Sequence, residues 1–265
     1  MSVVIVSFNR AEELRKSLTA LGDAHQVLVV DNGSSDGTPA LEAEFPAARF
    51  IRLPKNFGYT KALNIGVRAA EGTYILWLHD DAVVSGDSVT KLADLLEERA
   101  DIGAACPLLT DAGGRRAPQV RPLPTPSHPD PALQSATGEG EIVTECVSGA
   151  AIVFRAYFLR ALRQVDERYG NYGPEIEMSQ QVKKSGKKIV ILSGVTALHF
   201  AKPSPMKKGA LEGDRAVGTA AFLSRNHGFL SGIFYRLKVG LGGIFTFRFG
   251  LVAGALGDVK IDGTS

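Results

Sequence analysis

Two adjacent carboxylates follow an apolar, strand-like run, and their position indicates metal or phosphate chemistry. The run Tyr74 to Leu78 contains only apolar or aromatic residues, and His79, Asp80 and Asp81 come directly after it. In open α/β sheets, ligands bind at the carboxyl ends of the strands. Carboxylate oxygens suit Mg²⁺ or Mn²⁺, and such an ion commonly carries a diphosphate. The pair alone is weak evidence, because an Asp pair after a strand is more often a turn or a helix cap.

The composition is that of an ordinary globular protein and excludes several classes. The chain has 265 residues, of which 45% are hydrophobic and 22% charged, and this fits one large domain or a domain with an appendage. The formal net charge of +2 is too small to indicate nucleic-acid binding. Cys106 and Cys146 fit no metal spacing or disulfide framework. Because the first residues resemble a core strand rather than a signal peptide, we expect a reducing, cytoplasmic location.

Alternating strand and helix patterns in the first half predict the elements that would position the carboxylates. Strands are expected over 3–6, 26–30, 47–53, 74–78 and 102–106. Helices are expected over 11–21 and 60–70, and a further helix is expected to be capped by Asp87. This alternation predicts an α/β protein with a mostly parallel sheet covered by helices on both faces.

The second half begins with a proline-rich segment. Residues 111–141 contain six of the 13 prolines, which predicts a long, mobile loop. Order is expected to resume over 142–154, with helices at 156–162 and 175–184 and a strand at 187–192. Beyond His199 the pattern becomes helical and basic.

Six segments in a fixed order carry a family resemblance. They are 3–10, 27–38, Asn56-Phe57-Gly58 with Ala62, Asn64 and Gly66, then 79–81, 149–151 and 172–177. Their order and spacing resemble the family 2 glycosyltransferases, and within them the bacterial rhamnosyltransferase-like members. The resemblance covers about residues 2–200. It implies the nucleotide-sugar-binding GT-A fold, with a Rossmann-like, mostly parallel central sheet and a C-terminal helical extension.

The resemblance also implies a division of the chain. Residues 1–200 would form the catalytic domain, with a nucleotide-binding half over 1–106 and the mobile loop over 111–141. An acceptor-side half would span 142–200, and residues 201–265 would form the basic, apolar extension.

Donor-binding roles follow from the matched positions. The residues implied are Ser7, Asn9, Arg10, Asp31, Asn56, Gly58, Asn64 and Asp80. Asp31 would accept a hydrogen bond from the imide N–H of uracil or thymine, and an Asx turn is the alternative. Arg10 would line the same crevice or be solvated, and helix capping is the favoured role for Asp36.

Metal ligation is implied for Asp81 and His199. Asp80 would contact ribose or metal, and the cofactor would be Mn²⁺ or Mg²⁺. His199 ends an apolar strand, and a purely structural role is the alternative. His79 stands where Asp or Asn is commoner in the family, and we expect it to support the site rather than bind the ion.

Glu175 aligns with the position of the general base. A carboxylate there would remove the proton of the acceptor hydroxyl during inverting transfer. The alternative is that Glu175 only occupies the first turn of a helix after Pro174, where acids are favoured. Glu177 lies on another helix face and is the poorer candidate.

The C-terminal segment combines apolar and basic residues. Residues 226–257 contain no acid, and Arg236, Lys238 and Arg248 lie among phenylalanines and leucines. Interfacial attachment to a membrane is one interpretation. The other is packing against the catalytic domain or a partner subunit, which leaves homo-oligomer formation open.

The resemblance therefore predicts a metal-dependent hexosyltransferase of bacterial surface polysaccharide or cell-wall synthesis. It would move a sugar with inversion from a UDP- or dTDP-linked donor to a hydroxyl of a saccharide or lipid-linked acceptor. Its location would be cytoplasmic, at the inner face of the cell membrane. A non-catalytic nucleotide-sugar-binding or assembly protein and a sugar-phosphate nucleotidylyltransferase are the alternatives. A dinucleotide-binding oxidoreductase is disfavoured because G-x-G-x-x-G is missing after the first strand.

Overall fold

The computed structural model describes residues 1–162 and 164–256. Its strands are β1 Ser2–Ser7, β2 Gln26–Asp31, β3 Ala48–Arg52, β4 Tyr74–His79, β5 Ala82–Val83, β6 Ile102–Thr110, β7 Pro118–Arg121, β8 Gln134–Ser135, β9 Glu141–Thr144, β10 Cys146–Val147, β11 Ala151–Arg155 and β12 Lys188–His199. Its helices are α1 Ala11–Leu21, α2 Leu41–Glu44, α3 Tyr59–Ala69, α4 Gly86–Glu98, α5 Ala156–Ala161, α6 Pro174–Lys184, α7 Lys208–His227, α8 Phe229–Phe245 and α9 Phe249–Leu256.

The central sheet has the order β3-β2-β1-β4-β11-β6-β12-β5, and β9 pairs with β12. β3, β2, β1 and β4 run parallel, as the sequence predicted. β11 then runs antiparallel to both β4 and β6, so that the sheet is mixed beyond β4. The carboxyl ends of β1, β2 and β4 consequently meet at one edge, where a ligand can bind.

Helices cover both faces of this sheet. Leu14 of α1 and Leu92 of α4 are buried on one face, and Leu63 of α3 and Val182 of α6 are buried on the other. The helical spacing of such apolar residues explains why each helix buries one side against the sheet. The predicted helix-on-both-faces architecture is confirmed.

Two local predictions are corrected by the structure. The N-cap of α4 is Ser85, whose Oγ accepts from the Ser88 amide at 3.2 Å, and Asp87 lies in the first turn instead. The proline-rich segment is not one continuous loop, because β7 and β8 form a second sheet with β10. Pro118 is the first residue of β7 and Pro122 follows its last residue, so no proline interrupts the strand and its ladder can form.

The C-terminal extension is helical over its described part, as predicted, and residues 257–265 of the prediction lie outside the described residues. α8 and α9 pack on α7 through glycines: a Cβ on Gly213 would come within 2.8 Å of the Gly250 oxygen. A Cβ on Gly232 would collide with the Ser224 side chain. Glycine is therefore required where these helices approach each other. Within 1–162 and 164–256, no helix has the length and apolarity to cross a membrane.

Candidate active site

A cavity of about 640 Å³ opens at the carboxyl ends of the parallel strands. The predicted site residues that line it are Arg10, Asn56, Asp80, Asp81, Glu175 and His199. They come from the segments after β1 and β4, the turn before α3, the end of β12 and the start of α6, which are far apart in the sequence. The fold thus brings together the candidates for donor binding, metal binding and base catalysis.

Asp81 is the best anchored carboxylate of this cavity. Its Oδ2 accepts from Arg10 Nη1 and from the Lys202 amide, both at 2.9 Å. Its Oδ1 lies 3.4 Å from Nε2 of His199 and 4.0 Å from Nδ1 of His79. Burial acts to raise the pKa of Asp81, but His199, His79 and Arg10 outweigh it and hold that pKa below its ordinary value. Oδ2 of Asp81 is therefore held by two hydrogen bonds, while Oδ1 of the ionised carboxylate faces two imidazoles.

The residues present fit a divalent cation. The ligand atoms of His79, Asp81 and His199 all lie within 4.8 Å of one another. Desolvation lowers the pKa of His79, which favours the neutral imidazole that metal binding needs. The sequence pointed to Asp81 and His199, whereas the structure adds His79 to the group. Three protein ligands would leave coordination positions for phosphate oxygens.

Asp80 lies between the ends of β1 and β4. Its Oδ2 accepts from the Phe8 amide at 3.3 Å, and its Oδ1 is 3.8 Å from Arg10 Nε. Burial raises the pKa of Asp80 to about 7, with Arg10 opposing the shift. The placement is compatible with the predicted contact to ribose or metal.

Glu175 occupies the first turn of α6 behind Pro174, and its carboxylate faces the cavity. Oε1 accepts from Arg121 Nη2 at 2.6 Å, in a pair whose side chains are only 13% and 5% exposed. Burial raises the pKa of Glu175, and Arg121 opposes the shift. A Cβ on Gly149 would lie 3.3 Å from His79 Nε2 and 3.5 Å from Glu175 Cβ. The base candidate and the metal group thus flank the same glycine.

Glu177 faces a different part of the molecule. Its Oε2 accepts from the Tyr169 hydroxyl at 2.9 Å, and its Oε1 is 3.4 Å from Arg225 Nε. It lines a separate cavity of about 300 Å³. Glu177 therefore does not line the cavity that Glu175 faces.

Some predicted donor residues do not line the main cavity: Ser7, Asn9, Asp31, Gly58 and Asn64. Asn64 holds a distant loop, since its amide donates to the Val165 oxygen at 2.9 Å and accepts from the Val165 amide at 3.1 Å. Asp31 is buried and forms the Asx turn, with Oδ1 accepting from the Ser34 amide at 2.9 Å.

The turns after β1 and β2 brace each other beside the cavity. Asn9 Oδ1 accepts from the Ser35 amide at 2.8 Å, and Asn9 itself has a positive φ of 54°. Asp36 accepts from the Ala11 amide at 3.0 Å and from the Thr38 amide at 2.9 Å, the helix-capping role favoured from the sequence. These residues shape the crevice through backbone contacts.

Sequence reasoning missed Arg121 and Tyr172. Arg121 lies in the proline-rich segment, where an arginine carries no mark of burial. The structure buries it in β7 and lets Nη1 donate to the Tyr172 hydroxyl at 3.1 Å. Arg121 reaches Glu175 because β7 pairs with β10, and β10 packs against α6.

The sheet order and the helices that flank the sheet, with an acidic site at the strand ends, are those of the GT-A fold. S. aureus TarS 1-349 in complex with UDP-GlcNAc is 18% identical, with a TM-score of 0.61 over 97% of this chain and 80% of that chain. The mannosyltransferase PcManGT from Pyrobaculum calidifontis, in complex with GDP-Man and Mn²⁺, is 16% identical, with a TM-score of 0.59 over 97% and 86%. These likenesses confirm the predicted fold.

The family follows from the sequence comparison. The model of glycosyl transferase family 2 matches residues 2–160, and the chain belongs to this family. The N-acetylglucosaminyl-diphospho-decaprenol L-rhamnosyltransferase of Mycobacterium tuberculosis is 25% identical in an alignment that covers 75% of this chain and 75% of that protein. The predicted resemblance to rhamnosyltransferase-like members is thereby confirmed.

Proposed function

We propose that this glycosyltransferase transfers a sugar, with inversion, from a UDP- or dTDP-linked donor to an acceptor hydroxyl in a metal-dependent reaction. The observation that carries the proposal is the cavity in which Asp81, His79 and His199 approach Glu175 across Gly149. A bound cation would neutralise charge on the departing diphosphate. Glu175 takes the acceptor proton, and Arg121 orients its carboxylate. Asp80 and Asn56 contact the donor.

Mn²⁺ is the cation that we favour. Mg²⁺ takes oxygen ligands and keeps several waters, whereas two of the three candidate ligands here are the imidazoles of His79 and His199. Nitrogen ligands bind first-row transition metals more readily than Mg²⁺. The Mn²⁺ in the PcManGT complex supports this choice.

Asp31 is proposed to select the nucleobase. UDP and dTDP should bind better than ADP and GDP, because only uracil and thymine present an imide N–H beside two carbonyls to a carboxylate acceptor. Asp31→Asn keeps the oxygen of the turn to Ser34 and replaces the other oxygen with an amide donor. We expect it to weaken UDP binding about tenfold, the magnitude of one charge-assisted hydrogen bond, and Asp31→Ala to reduce the preference as well.

Calorimetry with the four nucleotides and Mn²⁺ measures this selectivity. ADP and GDP serve as the internal control, since their affinities should change little in Asp31→Asn. Equal affinity of the wild-type protein for all four nucleotides would remove the base-reading role.

A lipid-linked acceptor is the class that we propose. The mycobacterial relative is named for a diphospho-decaprenol acceptor, and the present chain exposes an unusually apolar helix. Seven apolar residues of α8 are 56% to 81% exposed: Phe229, Leu230, Phe234, Leu237, Leu241, Ile244 and Phe245. At 100° per residue they share one side of the helix. We propose that this side lies in the interface of an anionic membrane, at the cytoplasmic leaflet.

Membrane binding should therefore depend on this side of α8. The triple variant with Phe234, Leu237 and Leu241 changed to Ser should lose most co-sedimentation with anionic vesicles. Wild-type binding should weaken with salt without vanishing, because only its cationic part is screened. Point changes test this side of α8 more cleanly than a truncation near Arg225 would. The truncation would also remove the packing of α8 and α9 on α7.

A matched control is Val143→Ser on β9, which removes another apolar side chain that is 59% exposed. It should leave vesicle binding unchanged, and all variants should bind UDP normally. Wild-type co-sedimentation in the triple variant would instead indicate that the apolar side contacts protein.

A further inference from the structure

A second cavity of about 800 Å³ adjoins the active-site cavity on its α7 side. The two share the walls formed by Asn171, Tyr172, Leu211 and Arg215. The second cavity is otherwise bounded by α7, α8, α9 and the segment around Pro129. Its volume is in the range of small-molecule sites. A ligand held there could extend past Tyr172 towards Glu175.

The acids of the second cavity are already engaged. Asp130 accepts from Arg215 at 2.6 Å and from the Tyr172 hydroxyl at 2.8 Å. Glu212 accepts from Arg248 at 2.7 Å. These two pairs neutralise both arginines of the cavity.

Asp214 is turned inward and accepts from the backbone amides of Asn171 and Tyr172, each at 2.9 Å. Lys208 and Lys238 are exposed and line the same cavity. Neither forms a salt bridge with an acid within the described ranges 1–162 and 164–256; Lys208 influences Glu212 only electrostatically. Two ammonium groups are therefore left to bind an anion.

Lys238 also lies at the boundary between this cavity and the apolar side of α8. Helical spacing places it beside Phe234, four residues earlier, and Phe245, seven residues later. Both phenyl rings are exposed, at 65% and 81%. On its other side, Tyr235 and Gly242 line the cavity. An anion held by Lys238 would therefore be adjacent to any apolar chain lying along α8.

We propose that the second cavity binds the diphosphate of a polyprenyl-diphosphate-linked acceptor. Lys208 and Lys238 contact the phosphate oxygens through charge-assisted hydrogen bonds. The prenyl chain leaves along the apolar side of α8, and the acceptor sugar passes Tyr172 to reach Glu175. This inference rests on the proposed transfer to a lipid-linked acceptor and assigns the part of the chain that recognises its diphosphate.

The test is calorimetric binding of farnesyl diphosphate to the full chain in the presence of saturating UDP and Mn²⁺, so that the donor site is filled. Farnesyl diphosphate should bind at least about tenfold more tightly than farnesol, because only the diphosphate contacts the lysines. The double variant Lys208→Ala, Lys238→Ala should remove this advantage. The double variant with Arg at both positions should keep it, and Lys91→Ala on the exposed side of α4 should behave as wild type.

Two results would overturn the proposal: equal binding of farnesyl diphosphate and farnesol, or an unchanged advantage in the double alanine variant. UDP titration of each variant verifies the fold and separates the two hypotheses. Normal UDP binding without farnesyl diphosphate binding would remove only the second site. If the wild-type protein shows no metal-dependent binding of UDP, the proposed donor reaction is rejected. Lysine-dependent binding of farnesyl diphosphate, measured without UDP, would still support the second site in that case.

Discussion

Asp81→Asn should weaken Mn²⁺-dependent binding of UDP by about 100-fold or more. Replacing a residue that only supports a metal ligand typically lowers metal affinity or activity by about 10- to 100-fold. Asp81 itself supplies the carboxylate of the candidate metal group, so its replacement should have a larger effect. An amide can still accept from Arg10 and the Lys202 amide, so the local structure should persist. It then presents a neutral NH₂ group, instead of a charged oxygen, to the two histidines. The measurement is UDP titration with and without Mn²⁺.

The matched control is Asp94→Asn, the same chemical change on the exposed side of α4. It should bind UDP and Mn²⁺ as the wild type does. His199→Ala should cost less than Asp81→Asn, since water can replace one neutral ligand. If Asp81→Asn bound both ligands normally and kept its melting temperature, the metal site would have to be abandoned.

Glu175→Gln should lower turnover by about two or more orders of magnitude while leaving donor affinity nearly unchanged. The change preserves the shape and the hydrogen bond from Arg121 but removes the basicity, and general-base assistance is typically worth about 10²- to 10⁴-fold. Transfer kinetics with saturating donor separate the effect on kcat from any effect on KM. Glu177→Gln makes the same change on the same helix, outside the active-site cavity, and is the control.

The pH profile provides a second signature of Glu175. Burial raises its pKa, so the base becomes protonated, and turnover falls, at a pH above the ordinary glutamate value of about 4.3. Arg121→Gln removes the cation that opposes this shift, so it should move the acid limb to higher pH. Near-normal turnover in Glu175→Gln, with an unchanged acid limb, would place the base elsewhere.

Local patterns were sufficient to predict most of the helices and strands of residues 1–106. The helix over Ala11–Leu21 and the strand over Gln26–Asp31 match their predicted positions closely, because apolar periodicity is a property of short segments. The direction of the strands beyond β4 depends on which strand edges pair with each other. The strands of the second sheet lie between β6 and β11 in the chain, so β11 returns to the central sheet only after them. The antiparallel placement of β11 and the existence of β7 therefore could not be obtained from periodicity alone.

The site was predictable where the chemistry follows a strand end and was not where it depends on tertiary contacts. Asp81 and His199 could be proposed because each ends an apolar run. The pairing of Arg121, on β7 of the second sheet, with Glu175 in α6 has no counterpart in sequence spacing. Asn64 was assigned to donor binding from its match to the family. In the structure it lies on α3, and its side-chain amide forms hydrogen bonds with the backbone of Val165 instead.

The central claim is that a divalent cation in the cavity at the ends of β1 and β4 binds a nucleoside diphosphate. Calorimetric titration of the wild-type protein with UDP and with dTDP, in Mn²⁺ and then in excess chelator, tests it most directly. We predict saturable binding with Mn²⁺ and at least about a 100-fold loss of affinity in chelator, because the ion contributes much of the attraction to the diphosphate. Binding that is absent for both nucleotides, or equally strong without metal, would contradict the account.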